Sequence, residues 1–120
     1  MEVFNMTNQL FINNEFIESH SKETMDVINP ATGEAFDTIT LATEKEVNDA
    51  IEKSQQAQLE WERVPQPTRA EHVKLLIPLL EKNRDEIAQL YVKEQGKTLS
   101  QAYGEIDKSI SFIDYMTSLS

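Results

Sequence analysis

Residues 38–57 read TITLATEKEVNDAIEKSQQA, and the period of the sequence changes within this stretch. Before Thr43, apolar and polar residues alternate, as they do in a half-buried strand. Thr43-Glu44-Lys45-Glu46 is a capping box, with Thr43 as the N-cap residue. From Val47 onward, apolar residues recur every three or four positions, which predicts an amphipathic helix. The chain is therefore predicted to change from strands to helices at about residue 43.

Two hairpins are predicted before this change. Asn13-Asn14 separates two short apolar runs, and asparagine tolerates the left-handed backbone of a tight turn. Residues 29–34, NPATGE, are dense in turn formers and separate a β-prone run at 25–28 from the alternating run at 35–41. Because isolated hairpins are marginally stable, we expect them to need a second layer, which the helices supply.

Further boundaries are predicted in the helical part. Thr68-Arg69-Ala70-Glu71 and Thr98-Leu99-Ser100-Gln101 are two more capping boxes. Pro78 predicts a kink or an early end of the second helix, and Gly96 can provide a left-handed C-cap. The predicted core stripes are Val73, Leu76, Ile77 and Leu80 in one helix and Ala102, Ile106, Ile110, Ile113 and Thr117 in the last.

These patterns predict an α+β fold made of one segment, residues 1–120. A layer of β-hairpins at about 9–42 is followed by three or four helices over 43–120. The longest apolar run, LLIPLL at 75–80, is far shorter than a membrane span, and the first residues lack a signal-peptide pattern.

Charge and cysteine content exclude several classes of function. The chain has 11 basic and 21 acidic residues, a formal net charge of −10. An acidic chain is a poor ligand for nucleic acid or for an anionic membrane, so neither partner is expected. Cysteine is absent, which excludes disulfides, thiolate metal sites and cysteine nucleophiles within these residues. The absence of cysteine also fits a protein of the cytoplasm, where disulfides are rare.

The residues themselves indicate no self-contained active site. The three glycines, Gly33, Gly96 and Gly104, cannot form a dinucleotide or phosphate-binding loop. The two histidines are far apart, and the many carboxylate pairs are typical of a solvated surface. Glu60-Trp61-Glu62 reads as a helix end with a buried indole. The apolar helix stripes fit either a core or a protein-binding surface, and the sequence leaves both open.

Several motifs in order resemble the beginning of an aldehyde dehydrogenase, and the likeness covers residues 10–120. They are LFINNEF at 10–16, VINPATGE at 27–34, Ala57 to Trp61, Arg69-Ala70, EQGK at 94–97, Glu105 and IDYM at 113–116. The match is most similar to the lactaldehyde and glycolaldehyde type. The resemblance implies a partial cofactor-binding domain beside a Rossmann sheet, in an enzyme that uses NAD or NADP. Asn14 replaces the glycine that the family often has in the hairpin turn.

The resemblance also implies what these residues lack. Family members are several times longer, and their nucleophilic cysteine, general-base glutamate and nicotinamide motif all lie beyond residue 120. We therefore expect no catalytic residue and no bound cofactor in this chain. A monovalent cation site of the family would fall on Glu94 and the carbonyls of Val27 and Ile28, and here it is expected to be incomplete.

Two functions follow as alternatives. In the first, the chain is a structural N-terminal segment of an aldehyde dehydrogenase, from a truncated product or with the rest of the enzyme as its partner. In the second, it is a free-standing or decayed-gene interaction module that self-associates or binds a protein. Apolar residues on several sides of the last helix predict self-association through the C-terminal helices; they are Ile106, Phe112, Ile113, Tyr115 and Met116.

Overall fold

The computed structural model describes residues 9–119, in which four strands precede five helical segments. The strands are β1 (Gln9–Ile12), β2 (Glu15–Glu18), β3 (Thr24–Ile28) and β4 (Ala35–Thr40); the helices are α1 (Glu44–Trp61), α2 (Gln66–Lys74), α3 (Leu76–Lys82), α4 (Arg84–Gln95) and α5 (Leu99–Ser118). The predicted order of hairpins and then helices is confirmed. Within the described range the chain forms two compact units, one of residues 9–28 and 34–63, the other of residues 29–33 and 64–119.

Both predicted hairpins of the first unit form. β1 pairs antiparallel with β2, and Ile12 lies opposite Glu15 across a two-residue turn. Asn13 and Asn14 have φ angles of 53° and 63°, the left-handed conformation expected from their side chains. β3 pairs antiparallel with β4, with a register irregularity between Val27 and Ile28.

Helix α1 begins as predicted but does not bury its predicted face. Thr43 Oγ1 accepts a hydrogen bond from the Glu46 amide, and the Glu46 carboxylate accepts one from the Thr43 amide, so the capping box is confirmed. Val47 and Ile51 are about half exposed. The expectation of a buried Trp61 indole is wrong, because this residue is 40% exposed. Periodicity identifies an apolar face, but it does not identify what covers that face.

The second predicted helix is divided into α2, α3 and α4. The predicted capping box at Thr68 is wrong: the N-cap of α2 is Pro65, three residues earlier, and the helix begins at Gln66. Pro67 lies in the first turn, where a backbone N–H would have no partner within the helix, so its missing N–H costs no hydrogen bond. The early end predicted from Pro78 is confirmed, since α2 ends at Lys74 and Pro78 lies in the first turn of α3. A second break falls at Asn83, whose side-chain amide donates to the Leu79 carbonyl at 2.8 Å.

The buried core of the second unit is small. Ala88 of α4 and Ala102 and Ile106 of α5 are buried, with half-buried side chains packed around them. The predicted stripe of α5 is confirmed, because each of its five members is buried or half-buried. The other predicted stripe is wrong in part: Val73 and Leu76 are exposed, and only Ile77 and Leu80 are half-buried.

Among residues 9–119, none of the helices combines the length and the apolar character that crossing a membrane requires.

Candidate functional site

The Glu46 carboxylate joins the first turn of α1 to the loop that follows β2. His20 donates its backbone N–H to Oε1 at 2.7 Å. Oε2 accepts from the Ser19 hydroxyl at 2.7 Å and from the Thr43 backbone N–H at 2.8 Å. Glu46 is only 7% exposed. A buried carboxylate whose two oxygens both accept hydrogen bonds from the chain holds two segments together.

These donors also fix the charge of Glu46. The backbone N–H of His20, followed by the Thr43 amide and the Ser19 hydroxyl, lowers the pKa of Glu46 from its ordinary 4.5 to about 2, because each donor stabilises the charged form. A carboxylate with so low a pKa is a poor general base near neutral pH. Glu46 is therefore a structural residue.

Two motifs of the family resemblance contact each other in the second unit. The turn at 29–33 is closed by the Gly33 amide, which donates to the Asn29 carbonyl at 2.8 Å, and by the Asn29 side chain, which accepts from the Ala31 amide at 2.9 Å. Gly96 ends α4 with a φ of 70°. A Cβ at Gly96 would lie 2.9 Å from Pro30 Cγ. The Pro30 ring thus occupies the space that the missing side chain leaves free.

A polar cluster joins α4 to α5. Arg84 Nε and Nη2 each donate to a carboxylate oxygen of Asp107 at 2.8 Å. The guanidinium lies 4.2 Å from the centre of the Tyr103 ring, and the Tyr103 hydroxyl donates to Asp85 Oδ1 at 2.8 Å. The Arg84 hydrogen bonds lower the pKa of Asp107, while the hydrogen bond to Asp85 raises the pKa of Tyr103. Because these side chains are solvated, the cluster orients two helices rather than creating a reactive group.

The three residues of the predicted cation site fall on different elements. Val27 and Ile28 end β3 in the first unit, and Glu94 lies on an exposed side of α4 in the second. Lys97, which follows in the same corner, pairs with Glu105 at 3.3 Å and lies 5.2 Å from the Tyr91 ring centre. The incomplete cation site stays a prediction.

The described residues were searched for a metal site and for a cavity that could support acid–base catalysis. Across residues 9–119, no group of three or more histidine, cysteine or acidic side chains is placed to hold a metal ion. A cavity of about 810 Å³ runs along α1, lined by Ala50, Ile51, Glu52, Ser54, Gln55, Gln56, Gln58 and Leu59. This lining is aliphatic and amide-rich, with Glu52 as its one ionisable side chain, so it lacks the paired groups that acid–base chemistry requires.

Comparisons with known proteins agree with the resemblance. Residues 16–120 match the model of the aldehyde dehydrogenase family. A malonate-semialdehyde dehydrogenase 2 from Oceanobacillus iheyensis is 37% identical over 89% of this chain, and a malonate-semialdehyde dehydrogenase 1 from Geobacillus kaustophilus is 34% identical over 88%. The chain spans 22% of the length of each of these relatives. The expectation of the lactaldehyde and glycolaldehyde type is therefore wrong, since these relatives carry another activity in their names.

Solved structures show the same fold. A betaine aldehyde dehydrogenase from Staphylococcus aureus, in complex with NAD+, superposes on 94% of this chain with a TM-score of 0.86 and 28% identity. An NAD-dependent benzaldehyde dehydrogenase from Corynebacterium glutamicum superposes on 94% with a TM-score of 0.86 and 27% identity. The chain covers 23% and 25% of these two structures. On the family match and the shared fold, the chain belongs to the aldehyde dehydrogenase family, as an N-terminal segment of it.

Proposed function

We propose that the chain is the N-terminal structural segment of an NAD(P)-dependent aldehyde dehydrogenase, and that its 120 residues are inactive by themselves. The observation that carries this proposal is the combination of family membership with size, because the chain spans only 22% of its curated relatives. The family reaction needs a thiolate nucleophile, and the chain has no cysteine.

The residues present do not fit a dinucleotide. Gly33 and Gly96 are used for a turn and a helix cap, and Gly104 lies inside α5. They form no phosphate-binding loop after a strand. NAD or NADP would bind to the remainder of the enzyme, and this segment would support that part by packing.

The substrate of the complete enzyme is proposed from the relatives. Since the similar curated proteins are named for malonate semialdehyde, a small aldehyde that carries a carboxylate is the first substrate to test. The cation site at Val27, Ile28 and Glu94 belongs to the same proposal, with its remaining ligands supplied by the rest of the enzyme.

A chimera tests this function. Residues 1–120 would replace the matching segment of the Oceanobacillus iheyensis relative, with the unmodified relative and a version that lacks the segment as controls. We expect the chimera to form NADH from malonate semialdehyde, and the isolated chain and the shortened relative to form none. A soluble, folded chimera without activity, or turnover by the isolated chain, would contradict the proposal.

A second function, that of an interaction module, is favoured by the surface. In the described part of the chain, seventeen large apolar side chains are exposed, whereas three apolar residues are buried. Faces of this kind usually contact another polypeptide. Both self-association and packing against the rest of the enzyme would cover them.

A further inference from the structure

We draw no further inference here: the strongest candidate, the open cavity that runs along one face of α1 beside Ile51 and Leu59, carries nothing because nothing in the described part of the chain shows what covers this unpartnered apolar face.

Discussion

Two glycine-to-alanine substitutions are expected to change the stability of the helical unit in opposite directions. Gly96 has a φ of 70°, and an alanine Cβ there would lie 2.9 Å from Pro30 Cγ. The left-handed conformation costs a non-glycine residue about 1–2 kcal/mol. The close contact with Pro30 adds to this cost, because a contact shorter than 3 Å forces the ring or the backbone to move. We expect Gly96→Ala to lower the free energy of unfolding by about 2 kcal/mol.

Gly104 provides the matched control. It lies inside α5, and a Cβ built on it meets nothing within 4 Å. Alanine at a helix interior is more favourable than glycine by about 0.5–1 kcal/mol. Gly104→Ala should therefore raise the free energy of unfolding, so that the same chemical change differs by about 3 kcal/mol between the two sites.

Urea unfolding followed by circular dichroism measures both effects as shifts of the midpoint at constant slope. A Pro30→Ala background separates the two causes, since removal of the ring leaves only the backbone cost at Gly96. A neutral Gly96→Ala variant, or equal losses at Gly96 and Gly104, would refute the reasoning. An unchanged cost of Gly96→Ala in the Pro30→Ala background would refute the role of the ring.

Two further predictions concern the core and the pH dependence. Ile106→Ala should cost about 2–5 kcal/mol and unfold the helical unit at room temperature, because Ile106 is the largest of its buried apolar residues; loss of α4 and α5 helicity by circular dichroism checks this. The folded pKa of Glu46, about 2, lies below its ordinary 4.5, so its stabilising contribution is complete above pH 4.5 and is lost as the pH falls toward 2. The wild-type chain and Glu46→Gln should therefore differ in urea midpoint at pH 7 and converge near pH 2, and a difference that grows on acidification would contradict the assignment.

Features that depend on neighbouring residues were predictable from the sequence. The Asn13-Asn14 turn, the capping boxes at Thr43 and Thr98 and the C-cap at Gly96 all form. Each is a local competition among backbone conformations that a few side chains decide. The box at Thr68 fails for an equally local reason, because two prolines just before it favour an earlier helix start.

Contacts between residues that are distant in sequence could not be predicted from the sequence. Glu46 lies 26 positions from His20, which donates to it. Arg84 lies 23 positions from Asp107, its ion-pair partner. Nothing near Arg84 in the sequence indicates which of 21 acidic residues it will meet. Val73 and Leu76 were predicted to be buried because they follow the apolar period of a helix, but both are exposed in the described chain. The period identifies an apolar face and does not show which distant residues cover it. The predicted cation site shares this limit, because Glu94 is far in sequence from Val27 and Ile28.

The contacts within the helical unit explain how a chain that spans about a quarter of the length of a solved family structure forms the same fold. Alanines at 88 and 102 are fully buried between α4 and α5, and their small size lets the two helices approach closely. Close approach brings Arg84 to Asp107 and Tyr103 to Asp85, so orientation is set by polar contacts at the rim. These groups lie within one helical pair and need no later part of the chain. The large apolar side chains point elsewhere, toward surfaces that only a second polypeptide layer or a second copy can cover. A skeleton of local contacts with uncovered apolar faces is what a segment needs if it is to hold its shape before the rest of a larger domain packs on it.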